Sequence, residues 1–178
     1  MTGPRTPHRL FVALWPGPEL TRSLEQGLSP LRERAGADVV WQAPERLHLT
    51  LAFLGDRDPD EAATQVARIA SAHEAPQLVV QGGGRFGHAL WVGVTGAGLT
   101  ALYQRLARVF GLPAGRFRGH VTVARSRAPR PGLELVAALK CLDLGSWTPA
   151  DVRLVASRLG PDAEYRSLGR YPFAPTTA

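Results

Sequence analysis

One short pattern occurs twice in this chain of 178 residues, and it strongly restricts how the chain can fold. Residues 46–53 and 118–125 both begin with arginine, any residue, histidine, an apolar residue, threonine, an apolar residue and alanine. The two histidines, His48 and His120, are 72 residues apart. The repeat predicts two similar halves, each of which contributes one strand to a common cleft.

Each copy of the pattern alternates apolar with polar or small residues, which is typical of a strand with one buried face. Because successive side chains of a strand point to opposite sides, we expect His48, Thr50 and Ala52 on one face. The second copy is predicted to repeat this at the equivalent positions, His120, Thr122 and Ala124. Each strand would then present an imidazole beside a hydroxyl, next to a small alanine that keeps the face open.

The rest of the chain predicts an α+β fold with mainly antiparallel sheet and helices on the outer faces. Apolar residues three and four apart, with turn and cap signals, predict helices at residues 19–35, 58–73, 98–110 and 132–139. Strands are predicted at residues 9–15, 39–41, 47–54, 78–80, 89–94, 120–125, 152–159 and 165–171, with a glycine loop at 82–84. The length suits one generous domain or two small lobes that share a core.

Charge and cysteine content bear on the partner and the compartment. The formal net charge of +6 suits a polyanion such as nucleic acid, although an arginine-rich composition can also reflect coding bias. Cys141 is the only cysteine, which excludes an intrachain disulfide and a cysteine-rich metal site. No apolar run approaches the roughly 20 residues that span a bilayer, and the amino terminus lacks the apolar segment of a signal peptide. We therefore expect a cytoplasmic protein without a membrane segment.

Two histidines that face each other can cleave a phosphodiester without a metal ion. A neutral imidazole accepts a proton from the attacking water, and an imidazolium donates one to the departing alkoxide. Histidine supports both forms near neutral pH because its unperturbed pKa is about 6.5. The hydroxyls of Thr50 and Thr122 can donate to the non-bridging oxygens, where negative charge grows in the transition state. The residues alone leave open which histidine is the acid.

A zinc site is the chemical rival, since histidine is a common zinc ligand. A zinc site needs a third protein ligand, and no Cys, Asp or Glu is expected on the same face near either motif. His8, His73 and His88 belong to a tail, a helix end and a loop, so we interpret them as surface residues. We therefore expect neither a metal nor a cofactor.

The two motifs resemble the signatures of a known family. Residues 47–55 and 120–125 are similar to those of the two-histidine phosphoesterases, in particular the RNA 2′,3′-cyclic phosphodiesterases, long called 2′-5′ RNA ligases. Further similarity extends over nearly the whole chain, at residues 9–14, 41–45, 90–93, 157–161 and 165–168. One departure is Gly119, where the family commonly has proline. The resemblance implies a single two-lobed domain over residues 1–178, with pseudo-two-fold symmetry and both motifs lining a central cleft.

The resemblance also implies a reaction and roles for the motif residues. It implies that RNA 2′,3′-cyclic phosphodiester ends are hydrolysed to 2′-phosphomonoesters without a metal. His48 would be the proton donor to the O3′ leaving group, and His120 would be the proton acceptor that activates water. Thr50 and Thr122 would bind the phosphate.

Two further residues receive roles from the resemblance. Arg125 would bind phosphate, and Phe53 would stack on the terminal base. Both lie an odd number of residues from their histidine, so regular alternation points them away from the cleft. Their roles therefore require a twist or a bulge in each strand.

The expected partner is RNA with 2′,3′-cyclic phosphate ends, with tRNA fragments among the candidates, and the expected state is a monomer without an obligate protein partner. One alternative is 2′-5′ RNA ligation or the hydrolysis of small cyclic nucleotides, which the motifs do not separate from the main hypothesis. A second alternative is a non-catalytic module that binds RNA ends. The presence of both histidines and both threonines argues against this second alternative.

Overall fold

The computed structural model describes residues 8–113, 115, 117–127, 133–158 and 164–175. Its helices are α1 (Pro18–Arg34), α2 (Pro59–Ser71), α3 (Leu99–Phe110) and α4 (Leu133–Lys140), with a 3-10 turn at Pro44–Arg46. Its strands are β1 (His8–Leu14), β2 (Val39–Trp41), β3 (Leu49–Gly55), β4 (Gln77–Phe86), β5 (Ala89–Ala97), β6 (His120–Ser126), β7 (Asp143–Trp147), β8 (Asp151–Arg158) and β9 (Tyr165–Pro172). The predicted positions 132, 159 and 160–161 lie outside the described residues.

The strands form one antiparallel sheet in which the two central strands share the fewest pairs. The order is β7-β4-β5-β6-β3-β1-β8-β9, and β2 pairs with β6 outside this order. At the centre, β3 and β6 meet at one register pair, Leu49 with Val121. Two four-stranded halves, β7-β4-β5-β6 and β3-β1-β8-β9, therefore join at the two repeated motifs. This confirms the predicted α+β fold with two similar antiparallel halves.

The helices cover one face of this sheet and form the core with it. The stripe of α1 consists of four buried leucines spaced three and four residues apart: Leu20, Leu24, Leu28 and Leu31. The α2 helix begins after Asp58, whose carboxylate accepts hydrogen bonds of 3.0 Å from the backbone N–H groups of Asp60 and Glu61. This cap satisfies donors that the first helical turn leaves unpaired. No helix in the described part of the chain is long and apolar enough to cross a bilayer.

The strand β3 contains a β-bulge inside the first motif. On the neighbouring strand, Ala13 pairs with Thr50 and Val12 pairs with Ala52, so Leu51 is an extra residue. A bulge of this kind shifts the alternation of side chains by one position. Ala52 is consequently buried, with 4% of its surface exposed, and joins the helix-covered core.

The strand β6 contains a bulge at the equivalent position of the second motif. Trp91 pairs with Thr122 and Leu90 pairs with Ala124, so Val123 is the extra residue. Ala124 is fully buried in the core. The prediction that the two motif alanines share the face of the histidines is therefore wrong, because alternation breaks at both bulges.

The predicted glycine loop at residues 82–84 is also wrong, because β4 runs through it. Gly82 has a φ of +63° and lies at a register shift, where a left-handed backbone favours glycine. Gly84 pairs with Trp91, and a Cβ added at Gly84 would lie 2.8 Å from the indole ring. Glycine is usually depleted in strands, but the absence of a side chain at Gly84 lets the indole of Trp91 on β5 lie against the β4 backbone.

Candidate active site

The two motifs lie side by side on the sheet face opposite the helix-covered core, which we call the open face. Because Leu49 pairs with Val121 in an antiparallel register, each histidine lies opposite the threonine of the other strand. The crossed pairs are His48 with Thr122 and Thr50 with His120. Directly opposed side chains have Cβ atoms roughly 4.5–5.5 Å apart. The structure thus brings all four predicted side chains together.

Both histidines are oriented by the same backbone contact. Nδ1 of His48 lies 2.7 Å from the carbonyl oxygen of Arg46, and Nδ1 of His120 lies 2.8 Å from that of Arg118. A carbonyl oxygen can only accept, so Nδ1 must carry the donated proton. Nε2 of each ring is then left for proton transfer. The arginine that begins each copy of the repeat supplies this carbonyl.

His48 is enclosed by aromatic rings. The indole of Trp15 stacks on its imidazole, with centroids 4.7 Å apart and planes 19° from parallel. Phe11 lies at 5.3 Å, and Tyr165 from β9 approaches edge-on at 5.4 Å. The indole of Trp15 is held in turn by a 3.0 Å hydrogen bond from Nε1 to the carbonyl of Glu45.

This enclosure changes the protonation of His48. Burial lowers the pKa of His48 below its usual value, and the positive charges of Arg46 and a protonated His120 act in the same direction. The hydrogen bond to the Arg46 carbonyl opposes the shift without reversing it. In the free protein, the pKa therefore favours neutral His48 at pH 7.

His120 has a more open environment. Phe86 meets it edge-on at 5.1 Å, and Trp91 lies at 6.2 Å with planes 63° apart. No ring in the described ranges stacks flat on the His120 imidazole as Trp15 does on His48.

Arginines lie over the aromatic rings that surround both histidines. The guanidinium carbon of Arg46 is 4.9 Å from the Tyr165 ring centroid, and that of Arg118 is 5.7 Å from Trp91. Arg153 lies 5.2 Å from Trp15 and donates a 2.8 Å hydrogen bond to Asp151. These cations make the open face attractive to a polyanion.

Asp151 holds the arginines of the two outer strands β8 and β9, which are Arg153 and Arg170. It accepts from Arg153 on one oxygen and from Nη2 of Arg170 on the other, at 2.7 Å. Burial alone would raise the pKa of Asp151, but the hydrogen bonds from the two arginines outweigh it and lower the pKa.

The two bulges bring Phe53 and Arg125 onto the open face, as their predicted roles require. Phe53 is 73% exposed, and its ring lies 6.2 Å from that of Phe11, which contacts His48. Arg125 is exposed between the buried residues Ala124 and Ser126. The two residues occupy equivalent positions in the two motifs.

His73 and His88 bond to backbone carbonyls away from the crossed pairs. Nδ1 of His73 lies 2.8 Å from the carbonyl of Ile69, and Nδ1 of His88 lies 3.1 Å from that of Ser126. His73 is half-buried rather than a surface residue, because it packs against its own helix end. Within the described ranges, no cluster of three or more His, Cys, Asp or Glu side chains could hold a metal ion.

Sequence reasoning missed the rings and one arginine that shape the site. They are Trp15, Tyr165, Phe86, Trp91 and Arg153. They come from β4, β5, β8, β9 and the end of β1, and no local pattern links them to the motifs. Arg46 and Arg118 were visible as the first residue of each copy of the repeat.

Comparison with known proteins identifies the family of this chain. A family model described as the 2′-5′ RNA ligase superfamily matches residues 20–160. The RNA 2′,3′-cyclic phosphodiesterase of Archaeoglobus fulgidus is 29% identical over 167 residues, covering 86% of this chain and 93% of that protein. The protein of the same name from Methanothermobacter thermautotrophicus is 26% identical over 175 residues, covering 86% and 91%.

A solved structure has the same fold over nearly the same length. The crystal structure of TT0787 from Thermus thermophilus superposes with a TM-score of 0.76 at 26% identity, covering 93% of this chain and 97% of that one. The family model spans most of the chain and includes both histidine motifs. The chain therefore belongs to the 2′-5′ RNA ligase superfamily.

Proposed function

We propose that this protein hydrolyses RNA 2′,3′-cyclic phosphate ends to 2′-phosphomonoesters by acid–base catalysis between His48 and His120, without a metal ion. The observation that carries the proposal is the antiparallel pair of Leu49 with Val121, because its register sets two histidines and two threonines opposite one another on the open face. Two relatives that match most of the chain are named RNA 2′,3′-cyclic phosphodiesterase, which supports the substrate class.

The geometry suits a phosphate seated above the Leu49–Val121 pair. Thr50 and Thr122 would donate their hydroxyl protons to its non-bridging oxygens. Nε2 of neutral His120 would accept a proton from a water that attacks phosphorus, while Nε2 of protonated His48 donates its proton to O3′. The P–O3′ bond breaks, a P–O bond to the water oxygen forms, and the phosphate stays on O2′.

The lowered pKa of His48 places a condition on this donor role. The pKa favours the neutral form in the free protein, so the ring must gain its proton together with the substrate. An anionic phosphate beside an imidazole favours the charged form and raises its pKa. Binding of the cyclic end and protonation of His48 are therefore coupled. A His48 that stayed neutral in the complex would instead be the base, with the two roles exchanged.

The substrate would be held by charge and by stacking. Arg125 would contact the phosphate, and the exposed ring of Phe53 would stack on the terminal base. The partner is RNA with cyclic ends, such as tRNA fragments, and the protein would act in the cytoplasm as a monomer.

The test is hydrolysis of an RNA dinucleotide that ends in a 2′,3′-cyclic phosphate, in the presence of excess chelator. We expect full turnover, with phosphorus NMR identifying a 2′-phosphomonoester. A 3′-phosphate would reject the donor role of His48 toward O3′. Loss of activity that one divalent ion restores would reject metal independence. Tight binding without any product would indicate a module that binds RNA ends.

A further inference from the structure

A second aromatic surface lies beside His120, on the half of the open face opposite Phe53. Phe86 is the last residue of β4, and its ring is 40% exposed. It stacks on the indole of Trp91, with centroids 4.8 Å apart and planes 24° from parallel. The edge-on contact of 5.1 Å with His120 puts this surface next to the proposed reaction.

The backbone below holds this surface in a set position. Trp91 lies flat on Gly84, where any larger residue would collide with the indole. Phe86 pairs with Ala89 across the β4–β5 hairpin, and Ala89 pairs with Arg125 on β6. Adjacent strands are about 4.8 Å apart, so roughly 10 Å separates the Phe86 and Arg125 backbones. The small side chain of Ala89 leaves the space between them open.

We propose that Phe86, backed by Trp91, is a second nucleobase site that holds the base of the nucleotide preceding the cyclic end. This inference rests on the proposed function. One nucleoside can stack on one aromatic ring at a time, and Phe53 already offers a ring on the His48 half of the open face, next to Phe11. In a cyclic-ended RNA, the preceding nucleotide is the next part of the substrate along the chain after the terminal nucleoside, which carries the reacting phosphate.

The chemistry of the surface matches this occupant. Aromatic rings stack on any base, because every base has a flat π face. The guanidinium of Arg118 lies 5.8 Å from the Phe86 ring, and the residue is exposed. Its charge is available to the phosphate that links the last two nucleotides. The site would therefore favour a dinucleotide end over a cyclic mononucleotide, with little preference for base identity.

The test compares a 2′,3′-cyclic mononucleotide with a dinucleotide that has the same terminal nucleoside. Phe86→Leu keeps an apolar side chain against Trp91 but removes the flat ring. We expect it to lower the ratio of kcat/KM for the dinucleotide to kcat/KM for the mononucleotide by roughly 5- to 100-fold. Phe86→Tyr should keep most of the wild-type ratio. Val79→Ala removes another exposed apolar side chain of β4, seven residues before Phe86, and should leave the ratio unchanged.

An equal loss on both substrates would overturn the proposal, because the ring would then act on His120 or on the fold. An unchanged ratio would overturn it as well. A binding measurement separates this inference from the proposed function: the affinities of a dinucleotide 2′-phosphate and a mononucleotide 2′-phosphate, followed by tryptophan fluorescence. A wild-type preference for the dinucleotide that Phe86→Leu abolishes would support the second base site even without turnover. Failure of the wild type to hydrolyse either cyclic substrate would count against the proposed function alone.

Discussion

The His48 half and the His120 half of the open face share their motif but differ in what surrounds it. Both histidines bond through Nδ1 to the carbonyl two residues earlier. Both motif strands bulge three residues after the histidine. Yet Trp15 stacks on His48 and burial lowers its pKa, whereas His120 meets ring edges.

The difference arises at one equivalent position on the neighbouring strands. Ala13 is the β1 neighbour of Thr50, and Trp91 is the β5 neighbour of Thr122. The alanine leaves space that the indole of Trp15 uses to cover His48. On the other half, the indole of Trp91 lies on Gly84 and carries Phe86. The motif thus sets the tautomer of each histidine, and the flanking strands set its exposure.

The comparison of the two halves would be contradicted most clearly if one of the two histidines proved dispensable for activity. Replacing either His48 or His120 with Ala should lower turnover of the cyclic end by about 10²- to 10⁴-fold, the usual value of a positioned acid or base. The double variant should be little worse than the weaker single variant, because the two groups act as a unit. Steady-state kinetics on a cyclic-ended dinucleotide measures both effects.

The matched control is His88→Ala, which removes a histidine whose ring bonds to a backbone carbonyl outside the crossed pairs. It should retain near wild-type turnover. Near-normal activity of either His48→Ala or His120→Ala would contradict the two-histidine mechanism.

A smaller effect, on RNA affinity and its dependence on salt, should distinguish Arg125 from Phe53. The two residues occupy equivalent positions in the two motifs but differ in charge. Arg125→Ala should weaken RNA binding by roughly tenfold or more, as expected for lost hydrogen bonds to a charged group. It should also flatten the plot of log affinity against log salt by about 0.7, the value of one single-strand phosphate contact. Phe53→Leu should weaken binding without changing that slope. Anisotropy titrations of a labelled RNA at several salt concentrations measure both quantities, and equal slopes in all three proteins would contradict the assignment.

The motif residues and the fold class could be predicted because local sequence determines them. Two copies of one alternating pattern predicted that His48, Thr50, His120 and Thr122 would share a face, and the register of β3 and β6 agrees. The predicted helices match α1 to α4 to within two residues at each end, because their apolar stripes are clear.

The remaining features depend on contacts between distant segments. A bulge adds one residue relative to a neighbouring strand, so no pattern within β3 alone reveals Leu51 as the extra residue. The strand β7 (Asp143–Trp147) was not predicted, because a glycine and a serine interrupt its short apolar pattern. Tyr165 reaches His48 from 117 positions further along the chain.

The cause of the low pKa of His48 can be tested with paired tryptophan variants. Trp15→Leu should partly expose the imidazole and raise its pKa towards the usual value for histidine. Trp91→Leu removes the tryptophan of the other half and should leave the titration of His48 unchanged. Proton NMR of the histidine ring signals follows each titration directly. An unchanged pKa in Trp15→Leu would show that the stacked indole does not cause the shift.

The smallest effect concerns stability, and its sign follows from the direction of the same shift. The pKa of His48 is lower in the folded protein than the value of about 6.5 expected in the unfolded chain. The unfolded state therefore binds more protons between these two values, and the free energy of unfolding must fall as the pH is lowered through that window. One such group contributes a slope of at most about 1.4 kcal/mol per pH unit. His48→Gln should reduce this slope between pH 7 and 5, measured by urea unfolding at each pH.

Asp151→Asn is the control, because the pKa of Asp151 is lowered and its stabilisation is lost as the pH falls below about 4. The Asp151→Asn variant should have a lower free energy of unfolding at every pH in this range but the wild-type dependence on pH. If His48→Gln also keeps the wild-type dependence on pH, the histidine is not buried in its neutral form.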